Sequence, residues 1–197
     1  MKHRPLAFID IETTGGRSET SRIIDIGVIR VENGEIIDTI NQLVRPDMPV
    51  PYFITTLTGI TNDMLWDQPN FESIAPELEL ILKDAVFVAH NVDFDYVFIK
   101  KEFKRLGISY NSDRACTVKL SRILHPEQRR HGLDKIIERM QLKVMHRHRG
   151  FDDAEVLWKY FADEYTANPL KTITSLDTVT TRARKAHSID SNQLTLI

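Results

Sequence analysis

Acidic side chains near the start of the chain have the type and spacing of a metal site. In the segment FIDIE, Asp10 and Glu12 are separated by one residue, so on a β-strand both carboxylates point to the same face. Two such charges about 4 Å apart repel by roughly 4 kcal/mol at an effective dielectric constant of about 20. A divalent cation between them removes this repulsion. Taken alone, the same Asp-x-Glu pattern is also typical of a solvated strand edge.

Two further acids, Asp95 and Asp153, each begin a predicted helix on the face that holds its apolar residues. Those apolar residues are Phe98, Ile99, Phe103 and Leu106 in the first helix and Leu157, Tyr160 and Phe161 in the second. An acid that faces inward at the end of a helix requires a partner. We interpret the neighbouring Asp93 as an N-terminal helix cap, whereas Asp152 can cap its helix or lie in solvent.

A histidine adds a proton acceptor to this set of acids. His148 precedes Asp153 by five residues in the segment HRHRGFDD, although a histidine in a basic loop is also typical of a surface residue. Carboxylate ligands without cysteine favour magnesium or manganese over structural zinc. Four carboxylates can hold two such ions about 3.5–4 Å apart, which stabilises the attacking and leaving oxygens of an in-line phosphodiester displacement. The pattern therefore predicts a phosphoryl-transfer site in which His148 accepts a proton from water.

The elements that position these residues are predicted to form an α/β domain. Segments rich in isoleucine, valine or alanine predict strands over residues 5–11, 22–31, 34–45 and 85–89. The Asn33-Gly34 pair is a strong hairpin signal and predicts antiparallel pairing of the second and third strands. Helical spacing predicts helices over residues 71–83, 93–106, 116–124, 132–141 and 152–166. This order favours a mixed sheet that is covered by helices.

Composition limits the possible classes of protein. A chain of 197 residues with 42% hydrophobic residues is long enough for one well-packed domain and an extension. The net charge of −2 argues against a protein that coats nucleic acid through bulk electrostatics, so any such contact is local. The single cysteine, Cys116, excludes an internal disulfide and predicts a buried thiol in a reducing compartment. The N-terminal segment has the pattern of neither a signal peptide nor a membrane span, so we predict a cytoplasmic protein without a membrane partner.

Three segments in order, FIDIETTGG, HNVDFDYVF and HRHRGFDDA, resemble the motifs of the DEDDh (DnaQ-like) exonucleases. This family includes the proofreading epsilon subunit of bacterial DNA polymerase III. The resemblance covers about residues 5–165 and implies a ribonuclease H-like fold, with a mixed central sheet flanked by helices, in an exonuclease domain over residues 1–167. It implies that Asp10, Glu12, Asp95 and Asp153 bind two Mg²⁺ or Mn²⁺ ions. With His148 as general base, the implied reaction is two-metal hydrolysis from a free 3′ end that releases nucleoside monophosphates.

The resemblance also implies contacts with the terminal nucleotide. The turn at Thr13 and Thr14 resembles the part of the family that holds this nucleotide, since a turn offers backbone N–H groups and small hydroxyls to sugar and phosphate. The pattern is equally compatible with a simple turn. Asn91 and Phe94 are expected to border the same pocket, and Phe94 is equally compatible with core packing. Thr58 departs from the family pattern, because many members have histidine before the Gly-Ile-Thr sequence.

Residues 168–197 are predicted to form a flexible tail, because they are rich in threonine and serine and have no sustained apolar period. The last five residues resemble the Gln-Leu-x-Leu-Phe peptides by which bacterial replication and repair proteins bind the sliding clamp. The corresponding residues are Gln193, Leu194, Leu196 and Ile197. A tether of about 24 residues would span roughly 27 Å root-mean-square. A disordered terminus that happens to end in leucines is the alternative.

The leading hypothesis is a 3′-to-5′ exonuclease that acts on single-stranded or frayed DNA ends in proofreading, with a DNA polymerase partner, or in repair. One alternative is an exoribonuclease that trims RNA 3′ ends, since discrimination depends on contacts to the 2′-hydroxyl. A second alternative is a non-catalytic scaffold that bridges the clamp and another protein. The set of four acids argues against the scaffold, because a scaffold has no physical need for mutually repelling carboxylates.

Overall fold

The β-rich segments form the strands of one mixed sheet in a computed structural model that describes residues 4–144 and 146–183. The strands are β1 (Leu6–Thr13), β2 (Ile23–Glu32), β3 (Glu35–Leu43), β4 (Val86–Ala89), β5 (Arg114–Cys116) and β6 (Thr180–Thr181). Their order across the sheet is β3-β2-β1-β4-β5-β6. The pairs β1–β4 and β4–β5 are parallel and the other three are antiparallel. The prediction of a mixed sheet is confirmed.

The β2–β3 hairpin follows from its turn residues. Asn33 and Gly34 have φ angles of 53° and 87°, the left-handed region that asparagine and glycine tolerate best. This turn lets the two long strands pair antiparallel, as predicted.

Helices cover both faces of the sheet. They are α1 (Tyr52–Thr58), α2 (Asn62–Leu65), α3 (Phe71–Leu82), α4 (Asp93–Arg105), α5 (Thr117–Leu124), α6 (Leu133–Met140), α7 (Gly150–Ala167) and α8 (Pro169–Val179). Strand β1 alternates its side chains between the two layers: Ala7, Ile9 and Ile11 pack with α3 and α4, whereas Phe8 packs with α5, α7 and α8. Asp10 and Glu12 therefore share the α7 side of the sheet with Phe8.

The prediction of a flexible tail from residue 168 is wrong for residues 169–181, which form α8 and β6. Asn168 caps the helix by accepting from the Lys171 N–H at 3.1 Å, and Pro169 occupies the first turn. Leu176 is buried in the same apolar layer as Phe8. Periodicity alone missed the helix because threonine and serine occupy other inward positions, such as Thr172 and Ser175. The folded domain therefore extends past residue 167, and residues 193–197 lie outside the described residues.

Two smaller predictions have different outcomes. Cys116 is buried, as predicted.

The prediction that Asp93 caps helix α4 is wrong. Asp93 is the first residue of α4, makes no capping hydrogen bond and accepts from Arg114 Nε at 3.0 Å. Helix α7 begins at Gly150, so Asp152 lies inside its first turn. No helix within the described ranges has both the length and the apolar character needed to cross a membrane.

Candidate metal centre

Three elements bring the four predicted acids to one edge of the sheet. Asp10 and Glu12 lie near the carboxyl end of β1, and Asp95 lies in the first turn of α4, which follows the parallel neighbour β4. Carboxyl ends of parallel strands meet at the same edge, so this topology places Asp95 beside β1. Asp153 reaches the same place from the first turn of α7. Asp95 and Asp153 are both buried, with 3% exposure.

Burial and mutual repulsion both raise the pKa values of carboxyls in this group. Burial, followed by the charges of Asp95, Asp153 and Glu12, raises the pKa of Asp10 well above its usual range. Burial is also the first cause for Glu12, whose pKa is raised to about 7, with Asp153 as the next contributor. The pKa of Asp95 is raised well above its usual range and that of Asp153 is also raised, both chiefly by burial. Without a cation, this edge of the sheet disfavours the ionised carboxylates that it gathers.

The chemistry of these donors fits divalent cations. Glu12, His148 and Asp153 offer ligand atoms that all lie within 4.8 Å of one another. Oxygen donors dominate the set and cysteine is absent from it, which suits Mg²⁺ or Mn²⁺. Positive charge here would favour the ionised forms of the same carboxyls whose pKa values are raised.

Arg147 is a positively charged side chain in the site that the sequence reasoning missed. Its guanidinium donates to Asp134 from Nε at 2.9 Å and from Nη2 at 2.8 Å, and its Nη1 contacts Asp153. The Arg147 charge opposes the rise in pKa of Asp10 and Glu12. Its position directly before His148 in the sequence was the available signal that its side chain lies in the site.

His148 lies in an unusual backbone conformation beside Asp153. Its φ angle of 60° is in the left-handed region, which costs a non-glycine residue about 1–3 kcal/mol. Its backbone N–H donates to Asp153 Oδ2 at 3.2 Å. The imidazole therefore lies close to the acids because the His148 backbone adopts an unfavourable conformation. Contacts with neighbouring residues must stabilise that conformation.

A close approach of two glycines seats α7 on the sheet. A Cβ atom at Gly27 of β2 would clash with the backbone of Gly150 and Phe151. A Cβ atom at Gly150 would lie 2.9 Å from the carbonyl oxygen of Asp10. Only glycine at both places lets the first turn of α7, and with it Asp153, approach β1 so closely. Glycine inside the apolar strand IIDIGVIRV was the signal for this approach.

Asp25 is a second residue that the sequence reasoning missed. It lies directly opposite Glu12 in the β1–β2 register and is fully buried. Its Oδ2 accepts from Arg149 Nε at 2.8 Å and from the Gly150 N–H at 3.2 Å. Burial raises the Asp25 pKa, and these hydrogen bonds oppose the rise. In the sequence, the segment IIDIG shows Asp25 only as a charged residue inside an apolar strand.

The predicted turn residues Thr13 and Thr14 are buried and stabilise the turn itself. The Thr13 hydroxyl donates to the Gly15 carbonyl at 2.8 Å. The Thr14 hydroxyl accepts from the Arg22 N–H at 3.0 Å. The side-chain hydroxyls therefore have internal partners, as the simple-turn interpretation requires.

Asn91 and Phe94 lie at the same edge of the sheet, just after β4. Asn91 is exposed, and its φ angle of 63° places it in a left-handed turn. Phe94 is 36% exposed and packs against Phe98 with ring centroids 4.9 Å apart. The Phe94 ring thus combines core packing with an open face. Thr58 is buried and uses its hydroxyl within its own turn, donating to the Ile54 carbonyl at 2.9 Å.

A family model described as RNase_T, exonuclease, matches residues 7–161. This span contains all four acids and His148, which the fold brings to one edge of the sheet. The chain belongs to this exonuclease family. The family and the ribonuclease H-like fold predicted from the three motifs are thereby confirmed.

Two relatives and one solved structure align with most of the chain. It is 39% identical over 152 residues to a PolC-type DNA polymerase III of Caldanaerobacter subterraneus subsp. tengcongensis, covering 77% of the chain and 11% of that relative. It is 36% identical over 174 residues to the 3′-5′ exonuclease DinG of Staphylococcus aureus, covering 86% of the chain and 19% of the relative. The chain thus spans a small part of the length of both relatives. The structure of exonuclease X in complex with 5′ overhanging duplex DNA has a TM-score of 0.70 at 25% identity, covering 88% of this chain and 99% of that one.

His90 completes the surroundings of the site in this exonuclease-family chain. Burial and the nearby Arg147 charge lower its pKa to about 4, so its imidazole is neutral at physiological pH. Its Nδ1 lies 2.9 Å from the Thr117 hydroxyl. Its Nε2 is buried and has no hydrogen-bond partner among the described residues.

Proposed function

We propose that this chain is a 3′-to-5′ exonuclease that hydrolyses single-stranded or frayed DNA ends to nucleoside monophosphates. The observation that supports this most directly is the convergence of Asp10, Glu12, Asp95 and Asp153 at one sheet edge, with His148 beside them. Membership of the exonuclease family supports the same reaction class. Bound cations would offset the repulsion among these carboxylates, which explains why the fold gathers them at one place.

The four acids would hold two divalent cations, Mg²⁺ or Mn²⁺. When bound, such ions supply positive charge to the scissile phosphate and activate the attacking water. His148 accepts the proton of that water as general base, and its loop keeps the imidazole next to Asp153. The acids contribute ligand oxygens in their ionised forms.

The same edge offers contacts for the terminal nucleotide. We propose that backbone N–H groups of the Thr13-Thr14 turn bind its sugar and phosphate, since the hydroxyls are occupied within the turn. Asn91 and the open face of Phe94 would contact the base. Stacking of a base on an aromatic ring contributes about 1–3 kcal/mol and tolerates any sequence.

The decisive experiment is hydrolysis of matched 5′-labelled single-stranded DNA and RNA with Mg²⁺ or Mn²⁺. We expect a metal-dependent DNA ladder from the 3′ end in the wild type and its loss in Asp10→Asn. Asp38→Asn is the control, because Asp38 is exposed on β3. A preference for RNA would favour an exoribonuclease, and no hydrolysis of either substrate would favour the scaffold. Undiminished calorimetric binding of Mn²⁺ to Asp10→Asn would contradict the role of Asp10 as a ligand.

We also propose that residues 193–197 bind a sliding clamp, and that the chain acts in proofreading beside a polymerase, or in repair, in the cytoplasm. Helix α8 shortens the available tether from about 24 residues to the nine residues 184–192. Nine residues span at most about 32 Å when fully extended. Ala183 lies beside Asp113 at the start of β5, at the edge of the sheet opposite the acids. The clamp-binding peptide would therefore begin within about 32 Å of Ala183.

A further inference from the structure

We propose that Asp25 is a positioning residue that fixes the loop of His148 and the start of α7 onto β2. This inference deepens the proposed function, because it assigns the residue that holds the general base in place. Asp25 contacts the loop through a single oxygen, Oδ2, which accepts from Arg149 Nε and from the Gly150 N–H. These two donors immediately follow His148 in the chain.

The loop needs such an anchor because its own conformation is unfavourable. His148 has a left-handed φ angle of 60°, which costs about 1–3 kcal/mol unless the surroundings determine it. Every residue from Arg147 to Gly150 is tied by a hydrogen bond: Arg147 to Asp134, the His148 N–H to Asp153, and the next two to Asp25. Asp25 is the anchor that belongs to the rigid centre of the sheet rather than to a helix end.

The position of Asp25 favours this role over that of another metal ligand. It faces Glu12 across the β1–β2 register, but its Oδ2 already has two donors from the loop. Its side chain is 1% exposed, and its Oδ1 has no hydrogen-bond partner among the described residues. A buried carboxylate that is only partly satisfied is costly. The hydrogen bonds from Arg149 and Gly150 therefore account for the presence of a buried carboxylate at position 25.

The first test measures kcat, KM and Mn²⁺ affinity in Asp25→Ala, Asp25→Asn, Arg149→Ala and the Asp25→Ala/Arg149→Ala double variant. A misplacement of about 1 Å costs roughly 100-fold in rate, so we expect Asp25→Ala to lower kcat by about that factor, with KM and Mn²⁺ affinity within about threefold of wild type. Asp25→Asn keeps an oxygen acceptor and should lose less. The double variant should be no slower than Asp25→Ala alone. An unchanged kcat in a folded Asp25→Ala protein, a kcat in Asp25→Asn as low as that of Asp25→Ala, or additive losses in the double variant would overturn the proposal.

Asp113→Ala is a matched control. Asp113 also accepts from arginine side chains, those of Arg4 and Arg182, and from a backbone N–H, that of Ala183. It lies at the opposite edge of the sheet, so its loss should leave kcat unchanged. An equal fall in kcat in both variants would mean that loss of any such anchor slows the protein, and would refute a specific role for Asp25.

The second test does not depend on catalysis. Amide hydrogen exchange at Gly150 should accelerate at least tenfold in Asp25→Ala and remain slow in Asp113→Ala, because the Gly150 N–H is the first of α7 and donates to Asp25. Unchanged protection in Asp25→Ala would overturn the positioning role whether or not the wild type hydrolyses DNA. Faster exchange in a chain that hydrolyses no nucleic acid would refute the proposed function while supporting Asp25 as the anchor of this loop.

Discussion

Replacing Glu12 by glutamine should stabilise the metal-free protein at pH 8 while removing its capacity to bind metal tightly. The pKa of Glu12 is raised from 4.5 to about 7, first by burial and then by the charges of Asp153 and Asp25. At about 1.36 kcal/mol per pKa unit, the ionised side chain destabilises the folded state by about 3 kcal/mol above pH 7. Glutamine keeps the shape without the charge. For a domain of this size, the gain corresponds to a rise of about 6–12 °C in melting temperature.

The sign of the pH dependence follows from the number of bound protons. Between pH 4.5 and about 7 the folded state keeps the Glu12 proton that the unfolded state has lost, so this group lowers stability as pH rises through that interval. His90 acts in the opposite direction, because its lowered pKa of about 4 means that the unfolded state binds the extra proton below pH 6.5. The two effects overlap in the wild type. The contribution of His90 cancels in the difference between wild type and Glu12→Gln, which reports Glu12 together with its repulsion of Asp10 and Asp95. This difference should grow from near zero at pH 4.5 to its full value above pH 7.

Urea unfolding in the presence of a chelator, repeated from pH 5 to pH 8, measures this difference. Glu35→Gln is the control, because Glu35 is exposed on β3. Saturating Mg²⁺ should reverse the order, since an ion that binds only the folded wild type stabilises it by mass action. A Glu12→Gln protein no more stable than wild type at pH 8 without metal would show that Glu12 is not under the electrostatic strain inferred here.

Three further predictions concern the base, the packing of α7 and the tail. His148→Ala should lower kcat by about 100- to 10,000-fold, as expected for loss of a general base, while metal binding is largely preserved; near-normal turnover would remove His148 from the mechanism. Gly27→Ala should destabilise the fold by about 1–3 kcal/mol and reduce activity, because its Cβ clashes with the backbone of α7, whereas Gly16→Ala has open space and should be neutral in thermal unfolding. Deletion of residues 193–197 should abolish pull-down by the sliding clamp without changing hydrolysis of free oligonucleotides, and retained pull-down would contradict clamp binding through this peptide.

The sequence was most informative where a pattern repeats. The apolar alternation of β1 placed Asp10 and Glu12 on one face, and the positive φ values of Asn33 and Gly34 follow from the hairpin signal. The apolar faces of α4 and α7 correctly indicated that Asp95 and Asp153 point inward. These features are local, so a single segment is enough to predict them.

The features that the sequence did not reveal depend on contacts between distant segments. Asp25 and Arg149 are 124 positions apart, and only the folded chain shows that they form an ion pair. The approach of Gly27 to Gly150 likewise joins β2 to α7. Helix α8 was missed for another reason: Thr172 and Ser175 occupy inward positions and disguise its apolar face.

The electrostatics of the site also separate an enzyme from a scaffold. Asp95 and Asp153 lie in the first turns of their helices, where the helix dipole favours a negative charge by about 0.3–1 kcal/mol. That gain is small beside the cost of about 3 kcal/mol for ionising Glu12, whose pKa is raised to about 7 even with Arg147 and Arg149 nearby. Protein groups alone therefore leave Glu12 partly protonated near neutral pH, and burial raises the pKa of Asp95 and Asp153 as well. A scaffold would lose nothing by replacing them with neutral residues, whereas a site that binds divalent cations requires their charge.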